Sequence, residues 1–141
     1  MSESPRPDDR VKSVAHVGFS IVGDEVDPGE WTAATGIAPT AAWKKGEEYR
    51  GKPFPDRLMY KRWGVWRVER EAEHMELAAR ALLAVVEGKV ERAKELAESR
   101  RLRVVVSLWW EPEGGQGGFD FDAVTMRRLS ALCHEIAFYF A

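Results

Sequence analysis

Alternation of apolar and polar residues marks the strands of this chain. Ala15, Val17, Phe19 and Ile21 fall on one side of an extended segment, with His16, Gly18 and Ser20 on the other, until Gly23-Asp24 breaks the pattern. Leu102, Val104, Val106, Leu108 and Trp110 form the clearest apolar stripe of period two, with Arg103, Val105, Ser107 and Trp109 opposite. Leu58–Arg70 reads as another strand. Tyr60, Trp66 and Val68 lie on one side and Trp63, Val65, Arg67 and Glu69 on the other, and Gly64 suggests a bulge. Ile136, Phe138 and Phe140 alternate into a last strand, and a short extended piece is expected around Trp43.

Helical periodicity appears between these segments. Met75, Ala78, Ala79, Leu82 and Val86 recur at helical spacing within Ala72–Glu87, which Gly88 ends. A more polar helix over Val90–Arg100 gathers Val90, Ala93, Leu96 and Ala97 on one face. Asp27-Pro28-Gly29-Glu30 starts a helix of about two turns that stops at Gly36: Asp27 caps, Pro28 suits the first position, and Glu30 sits where a capping box closes. Asp122 caps a helix running to about His134, with Met126, Leu129, Leu132 and Cys133 as its stripe. Two stretches carry turn chemistry: Lys45–Pro55, with two glycines and two prolines, is expected to be a long turn or loop, and EGGQGG at 113–118 a flexible connection. One-sided strands interleaved with amphipathic helices predict an α+β fold, a two-layer sandwich with helices on one face of a mainly antiparallel sheet, in a ferredoxin-like variant. The chain divides into a flexible tail over residues 1–12 and a single α+β domain over 13–141.

Composition narrows the function classes. A net charge of -2 disfavours a nucleic-acid partner, which needs a basic face to neutralise phosphates. Lys44–Arg70 is locally basic, at +5 against -7 for the rest, and mixed-sign charge of this kind is read as solvated surface. The polar N-terminus does not read as a signal peptide, and no apolar run is long enough to span a bilayer. A cytoplasmic location without membrane contact is therefore expected. The lone Cys133 excludes a disulfide within the chain and reads as a buried structural thiol.

No motif fixes a chemistry. His16, His74 and His134 lack partners at zinc spacing, and the carboxylates Glu111, Glu113, Asp120 and Asp122 lack that of a calcium loop. EGGQGG lacks the Lys-Ser/Thr of a phosphate loop. No cofactor, metal or catalytic residue is assigned. The six tryptophans stand out instead. Strand parity puts Trp66 and Trp110 in the core and Trp63 and Trp109 on the opposite face, where aromatics can anchor a partner or pack under a loop. The candidate binding residues on that face are His16, Trp63, Arg67, Trp109 and Tyr139.

The strand ending at Gly23, Asp27-Pro28, the run Thr35-Gly36-Ile37-Ala38-Pro39-Thr40, Gly46-Glu47 and "WRVE" from Trp66 resemble a bacterial family catalogued as domain of unknown function 4279. The helix beginning near His74, the strand Val104–Leu108 and the closing helix and strand also fit, so the resemblance covers roughly Val14–Phe140. It supplies structural positions and no functional residues. By analogy it implies an immunity or interaction protein. Two functions are carried forward: a non-catalytic protein-interaction domain, immunity-type, acting on another protein or by self-association; and a small-molecule binder or small enzyme with a pocket at the sheet face.

Overall fold

A computed structural model describes residues 13–51, 54–115 and 117–140 of the chain. The tail expected over residues 1–12 lies outside the described residues. The elements run β1 (Val14–Gly23), α1 (Pro28–Thr35), β2 (Ala41–Trp43), β3 (Glu48–Gly51), β4 (Phe54–Tyr60), β5 (Gly64–Ala72), α2 (Met75–Val86), α3 (Glu91–Ser99), β6 (Arg103–Glu111), α4 (Ala123–Ser130) and β7 (Glu135–Phe140).

Five strands form one sheet in the order β2-β5-β1-β6-β7. The alternation in β1 decides its place. Ala15, Val17, Phe19 and Ile21 are all fully buried, so this strand needs cover along its length and pairs antiparallel with β5 on one side and β6 on the other. β2 adds antiparallel to β5, and β7 adds parallel to β6 after the α4 crossover. The result is an α+β sandwich with a mixed, mainly antiparallel sheet. Its variation on a ferredoxin-like plan is that β1 lies between two antiparallel neighbours.

The helices cover the face that carries Phe19, Trp66, Val68, Val104, Val106 and Leu108. Trp66 lies edge-on to Phe19 at 6.4 Å between ring centroids, and its indole N–H donates to Thr32 Oγ1 of α1 at 3.2 Å. α4 is fixed to α2 through Glu76, which accepts from Thr125 Oγ1 at 2.5 Å and from the Asp122 amide at 2.9 Å. Burial pushes the Glu76 carboxyl up, but the bonds from Thr125, Asp122 and Arg80 outweigh it and hold the group below its ordinary value. Cys133 is buried in this layer, and burial pushes its thiol up.

Several local readings change. Lys45–Pro55 is not one loop. Most of it enters a separate two-stranded hairpin, β3 with β4. Glu48 and Arg50 are exposed on one side and Tyr49 is only half-buried on the other, so the ribbon carries no apolar stripe to announce it. The strand expected over Leu58–Arg70 is interrupted at Lys61–Trp63, where the chain leaves the hairpin for the main sheet. Gly64 marks no bulge. It pairs in register with Gly23, and a Cβ there would lie 2.8 Å from Val26 Cβ and 3.2 Å from the Gly23 carbonyl oxygen, so close crossing of three segments requires glycine. Asp27 does cap α1, accepting from the Gly29 amide at 3.2 Å, but Glu30 pairs with Arg100 instead of closing a capping box. α4 ends at Ser130, short of His134.

A candidate binding depression on the open sheet face

The face of the sheet away from the helices is built in cross-strand rows, because residues paired in register point to the same side. One row is Glu71, His16, Trp109 and Tyr139. The next is Glu69, Gly18, Ser107 and Ala137. The third is Arg67, Ser20, Val105 and Glu135. Gly18, Ser107 and Ala137 make the middle row low between Arg67 on one side and His16, Trp109 and Tyr139 on the other. The outcome is a shallow depression of about 220 Å³ lined by His16, Gly18, Arg67, Glu69, Ser107, Trp109 and Tyr139.

Each wall is positioned by a specific contact. Trp109 and Tyr139 stack with centroids 5.8 Å apart and planes at 25°, and the Trp109 indole N–H donates to Glu111 Oε1 at 3.1 Å. The two rings remain 40% and 47% exposed. Arg67 is held by its Nε–H, which donates to Ser20 Oγ at 3.0 Å. Ser20 is only 2% exposed, so this anchor is rigid. Among the described residues no carboxylate stands within 4.0 Å of the Arg67 guanidinium; its flank is the Trp43 ring at 6.0 Å. His16 Nδ1 lies 3.0 Å from Glu69 Oε1 and 3.6 Å from Glu71 Oε2, so both carboxylates face the imidazole.

Gly18 is the floor. Its backbone does not adopt positive φ, and an added Cβ would meet Arg67 Cδ and the Val68 carbonyl oxygen at 3.8 Å, ordinary contact distance. Neither conformation nor crowding demands glycine here, although glycine weakens a strand interior. The Arg67 stem lies against it, with Cδ and Cγ 3.8 and 3.9 Å from where a Cβ would stand, so the missing side chain leaves the floor of the depression to the Arg67 stem.

Of the five residues picked out by parity, His16, Arg67, Trp109 and Tyr139 line this one depression. Trp63 does not. It precedes the first residue of β5, so parity counted along an unbroken strand fails for it, and its carbonyl accepts from the Trp43 indole N–H at 3.1 Å. Trp43, Gly18 and Glu69 were not singled out. Glu69 was legible from its parity with Arg67. Gly18 was legible as a glycine inside an otherwise strong strand. Trp43 had no signal, since β2 is only three residues long.

The remaining histidines serve the fold or its surface. His134 Nδ1 accepts from the Val104 amide at 3.0 Å while its own amide donates to the Val104 carbonyl, tying the start of β7 to β6; its Nε2 lies 2.9 Å from Glu98 Oε1. His74 occupies the N-cap of α2 and makes no side-chain capping bond. Asp122 caps α4, accepting from the Val124 amide at 2.8 Å. Among the described residues no group of three or more His, Cys, Asp or Glu is placed to hold a metal ion, and no helix is long and apolar enough to cross a membrane.

Neither the curated proteins nor the solved structures contain a significant match to the chain. A family model described as a domain of unknown function (DUF4279) matches residues 12–140, the whole sandwich from β1 to β7, and the chain belongs to that family.

Proposed function

We propose that this protein is a non-catalytic protein-interaction domain, immunity-type in the sense that it masks another protein by docking its open sheet face onto it. The observation that carries the reading is the Trp109–Tyr139 stack. Two large rings are left 40% and 47% exposed beside a depression, on the β6–β7 side of the open face, with charged residues around them. Aromatic anchors inside a polar rim are the composition of an interface centre. The rings are prearranged by their stacking, so little side-chain freedom remains to be lost on docking.

The test is affinity capture from the source cells, identification of the captured protein, and calorimetry with that protein purified. Trp109→Ala is expected to weaken association by about 2 kcal/mol or more, the usual size of an aromatic anchor. Leu77→Ala, an exposed apolar residue on α2 and so on the opposite layer, should leave it unchanged. Loss of binding with Leu77→Ala but not with Trp109→Ala would move the docking surface to the helices and end this reading.

A second reading is favoured by the depression itself: a small molecule of about one ring in size held between Arg67 and Trp109. Titration with candidate ligands in the absence of any protein partner separates the two.

A further inference from the structure

We infer that the depression is a receptor for a carboxylate carried beside a flat apolar group, and that its occupant is an acidic side chain of the docked protein. The inference rests on the protein-interaction reading and specifies which chemistry of the partner the face recognises. Its basis is the unequal state of the charges around Gly18. Glu69 and Glu71 both face His16 Nδ1, at 3.0 and 3.6 Å. Arg67 has no carboxylate partner among the described residues. It is nevertheless held in place, because its Nε–H is committed to the buried Ser20 hydroxyl. A guanidinium tied through Nε keeps its two terminal nitrogens as a forward-facing fork, the geometry that grips a carboxylate through two parallel hydrogen bonds. With no Cβ at Gly18 the Arg67 stem lies low against the sheet, and the half-exposed Trp109 ring supplies a stacking surface for the group that bears the carboxylate. Ser107, opposite Gly18 in register, offers a hydroxyl to the same space.

The experiment follows the Arg67 Nε–H and Trp109 indole N–H resonances of the full chain during titration with the blocked dipeptide N-acetyl-Phe-Glu-amide and its neutral analogue N-acetyl-Phe-Gln-amide. The glutamate peptide should shift both resonances in a saturable way and bind at least about tenfold more tightly than the glutamine peptide. Arg67→Gln should abolish that preference. Gly18→Ala and Gly18→Val should weaken binding progressively. Because Gly18 has ordinary backbone angles and room for a Cβ, Gly18→Ala should leave the Tm unchanged or raise it, and a stabilised variant that has lost binding cannot be explained by misfolding. Equal binding of the two peptides, or undiminished binding by Gly18→Val, overturns the proposal. If neither peptide binds while Trp109→Ala still abolishes capture of the partner, the carboxylate receptor falls and the interaction face stands. If the glutamate peptide binds as expected but partner capture ignores Trp109, a free carboxylate ligand is the occupant, and the acidic side chain of a protein is not.

Discussion

Trp109 and Trp110 are neighbours in β6 and carry the same side chain, yet the sheet sends one to each face. Trp110 is 5% exposed, lies edge-on to Phe119, and gives its indole N–H to the Gly117 carbonyl at 3.2 Å. Trp109 is 40% exposed, stacked on Tyr139, with its N–H on an exposed glutamate. The difference comes from what lies beyond each face. On one side helices supply apolar cover. On the other, no helix packs over Trp109 and Tyr139, which remain exposed. An aromatic on the covered face contributes to stability, and one on the open face is available for binding. The same division separates fully buried Val106 from the neighbouring Val105 and Ser107, which are half-buried.

Four outcomes would break or sharpen this contrast. The largest concerns Cys133, on the covered side. Its thiol is buried and pushed up in pKa, so a thiol reagent should label the native protein on the order of 10³-fold or more slowly than the denatured protein. Fast labelling under native conditions would mean that the covered layer opens locally. Next, Trp66→Ala empties a core site and removes the donor to Thr32 Oγ1, and should cost about 3–5 kcal/mol in urea unfolding. Val106→Ala should cost roughly 1–3 kcal/mol by the same measurement, whereas Trp109→Ala, losing mainly its stack on Tyr139, should cost no more than about 1.5 kcal/mol. If Trp109→Ala matches Trp66→Ala, Trp109 is core and the open face is no face at all.

The fourth outcome depends on pH and tests how α4 is fastened to α2. Glu76 titrates below its ordinary value in the fold, so its ionised form stabilises the native state. That stabilisation is fully present above the unfolded carboxylate range and is lost as pH falls through the lowered native value. Glu76→Gln should therefore lower the Tm at neutral pH, and its difference from the unaltered protein should shrink as the solution is acidified below about pH 4.5. A constant difference across that window would show that the Thr125 and Asp122 contacts do not depend on the charge.

What could be read from the chain follows from how much of each element is one-sided. β6 is covered on one face only, and its alternation, with that of Ala15, Val17, Phe19 and Ile21 in β1, gave core and open-face residues together, although Gly18 and Ser20 of β1 are buried as well. The helices were legible from their stripes, with ends that shifted by a few residues, as at Met75 and Ser130. The β3–β4 hairpin was hidden because solvent meets both its sides. Its base is fixed by a contact no pattern reveals: Lys61 Nζ sits 3.9 Å from the Trp43 ring centre and 4.0 Å from that of Tyr49. The break at Lys61–Trp63 followed from the same blindness, and it carried Trp63 away from the depression. Four of the residues lining the depression were named from parity alone; the pairing of His16 with Glu69 and the tether of Arg67 to Ser20 required the register between strands.

The central position of β1 also has a kinetic consequence. Of the described strands this one is synthesised before the others, but its two neighbours are β5 and, much later, β6. About 90 residues separate Gly23 from Glu111, so at 5–20 residues per second roughly 4–18 s of synthesis pass before its second edge can be paired. During that interval Ala15, Val17, Phe19 and Ile21 have no permanent cover, and the final closure joins segments distant in sequence, a topology that slows folding. A strand whose alternation is plain in the sequence is thus the one that waits longest for its partners and is most open to misassociation while it does.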